Sequence, residues 1–371
     1  MKVEILIYAY LAVCAAMIIF NIVCIFVFRK KDKNIEKRSI DFTDSIEEQL
    51  NKDTIDEEHK KFLCKKLKKI NHMMAFDETL EKLYEQKPEQ VQNYIMKLSS
   101  VFVFLTFKYS EKNKIQAAYY PYIIKKYNVF KGAYIGIVID SLMELVKESN
   151  LYCRENALQA LYSIGDAQSV INALKLLGRT GGFHHSKMIA DGLLSFGGER
   201  ELLDKKLWQS FNEFSLSLKL PILDYFRFSS DAHKEKVLHI MCDKDENQEL
   251  RFSAIRYFAK YHYEPALDCL YGFATDNSPI WEYKAIAATA LGNYPSVKTE
   301  EILRDLLCDR NWYVRYNAAD SLERLGVKYE EMIDVFEGGD RYASEMLRYR
   351  FDRKKLKEKE AVTVRSVTTL L

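Results

Sequence analysis

Hydrophobic positions along this chain follow two regimes. From Ile5 to Phe28 they are nearly continuous, and ILIYAYLAVCAAMIIFNIVCIFVF holds no charged residue. Further on they recur at helical spacing. In DRNWYVRYNAADSLERLG, residues 309–326, Ala318, Leu322 and Leu325 stand at i, i+4 and i+7, one stripe of an amphipathic helix. The small pair Ala318 and Ala319 lets a second helix approach closely. Gly326 then ends the helix, because glycine reaches the left-handed region without a Cβ clash.

The same stripe recurs upstream. With Ala318 as marker, the equivalent positions are Ala285, Ala254, Pro221, Ile189 and Ala157, in steps of 33, 31, 33, 32 and 32 residues. Four residues past each marker stand Leu322, Thr289, Phe258, Tyr225, Leu193 and Leu161. The unit at Ala285 fits worst, since Leu291 sits one place early. Pro221 predicts a kink or a later helix start. Each marked helix is followed by a short turn and a second helix, opening at Asp166, Glu199, Asp231, Glu264, Lys298 and Lys328. Acids in those first turns suit the positive end of the helix dipole. One helix pair cannot bury both apolar faces, whereas a stack of neighbours can. The pattern therefore predicts an all-α protein, a right-handed α-solenoid of helix pairs.

Here the chain resembles a known family. Val314-Arg315-x-x-Ala318-Ala319-x-x-Leu322-x-x-Leu325-Gly326 resembles a HEAT repeat, of the short type also found in phycobilin lyase subunits, and residues 156–166 match it too. The resemblance runs from about residue 150 to 337, with a weaker continuation back to 90. It implies a protein-binding surface. It is nearly silent on activity.

The continuous run at the N-terminus predicts something else. Twenty-four residues at about 1.5 Å each give roughly 36 Å, against about 30 Å of bilayer hydrocarbon. RKKDKNIEKR follows at once, with Arg29, Lys30 and Lys31 as the membrane-flanking cations. The positive-inside rule then places the N-terminus outside and the rest in the cytoplasm, a single-pass cell-membrane protein whose residues 5–28 meet the bilayer. No small-x-small cleavage site follows the run, which argues against a signal peptide. Ala12, Ala16 and Asn21 could meet another membrane helix or simply face lipid.

Between these regimes, acids dominate residues 41–58 and lysines 60–69, which reads as a solvated helix with matched dipole; headgroup contact by the lysines is the competing role. Thr54 with Glu57 reads as a capping box. Pro88 opens a helix over 88–98, VFVFLTF at 101–107 reads as a buried helix, and helices follow over 115–127 and 134–147. The expected organisation is an anchor (1–28), a charged juxtamembrane linker and helices (29–87), a helical cap or divergent repeats (88–150), HEAT-like repeats (151–340), and a basic cap helix and tail (341–371).

Composition narrows the function. Glycine (14) and proline (6) are scarce, in keeping with long helices. The net charge of +2 disfavours a nucleic-acid binder. The seven cysteines form no C-x-x-C pair, which predicts reduced, buried thiols and a cytosolic setting. No P-loop, G-x-S-x-G, H-E-x-x-H or His-Glu dipeptide occurs, so no metal, cofactor or catalytic residue is expected.

Four features remain to be placed as binding or structural elements. Arg154, Arg251 and Arg315 each precede a marker by three residues. They suit either a structural ladder of carbonyl contacts or a ligand. Trp281, Trp312 and Tyr313 open first helices in neighbouring units, as inter-unit packing or as a binding strip. His184-His185 reads as a loop tip between repeats. Residues 341–360 carry eight Lys/Arg against four acids, a capping helix or a second membrane contact. The expected function is a membrane-anchored scaffold for a protein partner, such as an accessory subunit of a membrane enzyme complex in polysaccharide synthesis. A lyase-like or other enzyme subunit is the alternative, and a nucleic-acid-binding helical repeat protein ranks below it.

Overall fold

The computed structural model describes residues 2–133, 135–181, 184–276 and 280–350, and every regular element among them is helical. The chain divides into two compact units, Met1–Phe183 with Ser195–Ser210, and His184–Leu194 with Phe211–Leu371.

The first unit opens on the long helix α1 (Lys2–Leu50). There follow α2 (Glu57–Lys66), α3 (Ile70–Gln86), α4 (Pro88–Lys97), α5 (Ser99–Ser110), α6 (Lys114–Lys126), α7 (Gly136–Val146), α8 (Leu151–Ile164) and α9 (Ala167–Thr180). The short α10 (Ser186–Leu194) belongs to the second unit, and α11 (Arg200–Gln209) returns to the first. The second half of α1 buries Ile35, Phe42, Ile46 and Leu50, a helical stripe laid on α3 and α4. Beyond it α6 packs on α8, while α7, α9 and α11 pack in series. That is the repeat pattern of first helices and second helices in two rows.

The large apolar side chains described between Tyr8 and Phe26 are exposed. Among the described residues no helix is long and apolar enough to cross a membrane. The side chains of residues 2–7, 9, 27 and 28 lie outside those described. The expected spanning helix is therefore not supported by a described span.

The second unit continues through α12 (Leu216–Ser229), α13 (Lys234–Cys242), α14 (Gln248–Phe258), α15 (Leu267–Thr275), α16 (Trp281–Leu291), α17 (Val297–Leu306), α18 (Trp312–Arg324) and α19 (Ile333–Glu337). First helices pack in the series α10, α12, α14, α16, α18. All six marker residues are buried, so the small or branched positions do face the neighbouring helix. Side chains then tie one first helix to the next. The Asn156 amide donates to the Ala118 carbonyl and the Asn317 amide to the Ala285 carbonyl, both at 2.8 Å. Ser321 Oγ donates to the Ala288 carbonyl at 2.7 Å. The Ser321 bond satisfies a buried hydroxyl that would otherwise cost about 1–3 kcal/mol.

Some expectations need correction. α12 runs through Pro221 instead of starting after it. The acidic run does not open a single helix: α1 ends at Leu50, and Asp56 stands at the N-cap position of α2 without a side-chain cap bond, with no Thr54 capping box. The chain turns between them because Gln49 grips Asp56 at both ends, accepting from the Asp56 N–H at 3.1 Å and donating to its carboxylate at 2.8 Å. The second helix predicted at Asp231 starts at Lys234, and that at Glu264 starts as a 3-10 turn. The cysteine expectation also fails. Cys242 and Cys269 form a disulfide, and of the remaining five only Cys153 is buried. The cytosolic setting loses the support that reduced thiols would have lent it.

A pinch between repeats explains one glycine cluster. Gly165 sits at φ +83°, ending α8, and the Gly197 N–H donates to the Tyr162 carbonyl at 2.9 Å. A Cβ on Gly198 would lie 2.1 Å from the Gly165 carbonyl oxygen. Only glycine allows the two backbones this close.

Candidate protein-interaction surface

The candidate surface lies at the N-terminal ends of first helices in the second unit. Asn311 caps α18, its side-chain oxygen accepting from the Tyr313 N–H at 2.8 Å. That cap fixes the first turn, and with it the directions in which Trp312 and Tyr313 leave the helix. The Tyr313 ring stacks on Trp281 of α16 at 5.3 Å between centroids. Trp312 stacks on Tyr316 at 5.0 Å and meets Tyr313 edge-on at 5.2 Å. Tyr342 extends the strip, with the Arg315 guanidinium 5.3 Å from its ring centroid. Trp312, Tyr313 and Tyr342 are solvent-exposed, at 49%, 57% and 66%. Four stacked rings of α16 and α18 thus form an edge open outward, and Arg315 links it to the Tyr342 ring.

Beside the edge lies a cavity of about 910 Å³, lined among others by Trp281, Lys284, Asp305, Cys308, Asp309 and Arg310. Lys284 and Asp309 pair at 3.1 Å and are largely shielded. Arg310 is exposed at the rim. Burial, together with the Asp340 and Asp305 carboxylates, pushes the Cys308 thiol above its ordinary range. Among the described residues no group of three or more His, Cys, Asp or Glu could hold a metal ion.

The three arginines occupy a different role from the edge. Arg154 donates to the Glu148 and Ser149 carbonyls at 2.8 and 2.7 Å, and Arg315 to the Asp309 and Arg310 carbonyls at 2.7 and 3.1 Å. Each closes the turn that leads into its own helix. Arg251 reaches the Met241 carbonyl and the Tyr283 hydroxyl, both at 3.2 Å, and lies over the Phe273 ring. The planar Arg251 guanidinium thus links its helix to α15 and α16.

His184 and His185 lie in the turn before α10, where His185 Nδ1 accepts from the Lys187 N–H at 3.2 Å. Arg29 and Lys30 are exposed on α1, and the Lys31 side chain lies outside the described residues. The basic C-terminal segment is helical over 341–350, with Ala343, Met346 and Leu347 buried, and Arg350 pairs with Asp320 and Glu323 of α18. Residues 351–371 lie outside the described residues.

Tyr316 and Tyr342 escaped the sequence reading. A signal for Tyr342 was present. Asn150-x-Tyr152, Asn311-x-Tyr313 and Asp340-x-Tyr342 share a capping side chain that accepts from the N–H two residues on, at 2.8–2.9 Å. Tyr152 is likewise exposed.

Comparison with known proteins agrees with this architecture. A family model described as HEAT repeats matches residues 274–341, the segment that carries most of the aromatic edge. No curated protein matches the chain. Among solved structures, human deoxyhypusine hydroxylase in complex with glycerol is similar at 14% identity and a TM-score of 0.28, over 80% of this chain and 95% of that one. A likeness that remote adds nothing about function.

Proposed function

We propose that this chain is a non-catalytic adaptor, tethered to a membrane by residues 5–28, that holds a protein partner along the edge formed by Trp281, Trp312, Tyr313, Tyr316 and Tyr342. The observation that carries the reading is the open aromatic edge within the HEAT-matched segment. Trp and Tyr offer large, stiff contact area at low entropic cost, and they dominate binding hot spots. The cavity beside them, with Arg310 at its rim, suits an anchoring side chain and a carboxylate from the partner. Tethering is supported by the uncharged run of 24 residues and the basic flank from Arg29. A partner in the same membrane, such as an enzyme complex making polysaccharide, fits a scaffold held at that surface.

The test is co-purification of the full chain from detergent extracts after cross-linking, with Trp312→Ala/Tyr313→Ala beside the wild type. The double variant is expected to lose the captured protein at unchanged helicity and Tm. Equal capture by both chains would overturn the edge as the binding site.

A further inference from the structure

Second helices of successive repeats touch directly where α9 meets α11 and where α15 meets α17. Between α13 and α15 that contact is much sparser, although their first helices α12 and α14 pack closely. A covalent link joins α13 to α15, the bond between Cys242, the last residue of α13, and Cys269, in the first turn of α15. Both cysteines are only half-buried, so a small thiol or disulfide can reach them. Their Cα atoms stand 6.2 Å apart, a separation that suits the bonded and the reduced pair alike.

We propose that Cys242 and Cys269 are a reversible oxidation site, a clasp that sets the opening of this one joint between repeats. The co-reactant is a low-molecular-weight disulfide of the glutathione class. In closing, the thiolate of one cysteine attacks that disulfide, forms a mixed disulfide and expels one small thiol. The second cysteine, losing its proton, attacks the protein sulfur of the mixed disulfide and expels the other. Two protein thiols become one disulfide, and one small disulfide becomes two small thiols. Reduction by excess small thiol runs the same steps backward.

The joint is built to respond on one side only. With the clasp open, the closely packed first helices act as the hinge and the sparsely packed second helices separate. Arg251 lies on that path. It bonds the carbonyl next to Cys242 and stacks against Phe273 of α15 and Tyr283 of α16. Tyr283 is two residues from Trp281, so the opening reaches the start of α16.

The experiment uses the full chain in detergent, equilibrated in glutathione buffers from fully reduced to fully oxidised. The products are acid-quenched, alkylated and mapped by mass spectrometry, and hydrogen exchange is followed in parallel. The expected result is a graded, reversible Cys242–Cys269 cross-link, with Cys14, Cys24, Cys64, Cys153 and Cys308 remaining alkylatable. On reduction, exchange in α13 and α15 is expected to rise about tenfold, as in local opening, while α18 stays protected. Cys242→Ser should show the reduced pattern in both buffers. A cross-link that resists excess thiol in the folded protein would overturn the proposal, as would one that never forms, or one whose reduction leaves exchange in α13 and α15 unchanged. None of these readouts depends on partner capture, so they stand or fall apart from the aromatic edge.

Discussion

Single buried polar residues carry much of the first unit's specificity. Asp77 is 7% exposed, and its carboxylate accepts from the Tyr119 and Tyr127 hydroxyls and from Lys126 Nζ, each at 2.7 Å. Three donors compensate the desolvated charge; without it the Tyr119 hydroxyl loses its acceptor, while Tyr127 keeps the Asp77 carbonyl and Lys126 keeps Glu81. Asp77→Ala is expected to cost about 1–3 kcal/mol in chemical denaturation. Lys126→Ala should cost less, because Asp77 keeps both tyrosines. His59 makes a different demand. It is buried between Ser45 Oγ at 3.0 Å and Tyr94 Oη at 2.7 Å, and burial lowers its pKa to about 4, against a smaller raising effect of Asp56. Between that value and the ordinary 6.5 the unfolded chain binds the proton and the folded chain does not. Stability from the neutral ring is therefore fully present above 6.5 and is lost as the pH falls toward 4, a swing of about 3 kcal/mol. Urea midpoints for the wild type should fall over that window, and those of His59→Gln should fall by visibly less. Parallel curves would sink this account of His59.

At the scale of elements, backbone proximity sets the limits. Gly198→Ala would press a Cβ on the Gly165 carbonyl and force α8 and α11 apart, so a loss of more than about 2 kcal/mol and a lowered Tm are expected. Gly272 is the counter-case: it lies inside α15, and a Cβ there meets nothing within 4 Å. Gly272→Ala should raise stability by about 0.5–1 kcal/mol, and a loss would contradict the open space seen there. The first helices were legible in the sequence because alternating small and large positions repeat every 31–33 residues, and every marker proved buried. Second-helix starts were less so, because an acid near a turn fits an N-cap, a 3-10 start or a solvated loop equally well, as Asp231 and Glu264 show. Trp281, Trp312 and Tyr313 could be named in advance, but their stacking could not. Ring-on-ring contact between repeats depends on how α16 and α18 superpose, which no local pattern encodes. The disulfide was hidden for the same reason: its separation of 27 residues falls short of the repeat and is closed only by the register of α13 against α15.

For the molecule as a whole, the decisive question is where the charge-free run goes. A charged chain of net +2, with its cations gathered just after residue 28, has no solubility reason to carry 24 consecutive uncharged, mostly apolar residues. Along α1 the large apolar side chains described from Tyr8 to Phe26 are exposed, while Ile35, Phe42, Ile46 and Leu50 are buried on α3 and α4. Under the proposed tether one helix serves two solvents, with the change at Arg29, where the positive-inside rule would place the membrane surface. In membranes from cells making the full chain, the protein should stay in the pellet through washes with high salt and with alkaline carbonate. A chain lacking residues 1–28 should move to the soluble fraction with its helicity intact, because the core of the first unit begins only at Ile35. Orientation is testable on the same vesicles. Cys308 is exposed, and an impermeant maleimide should label it only from the cytoplasmic side. Release of the full chain by carbonate would refute the tether, and labelling of Cys308 from outside intact cells would reverse its direction while leaving the repeats as described.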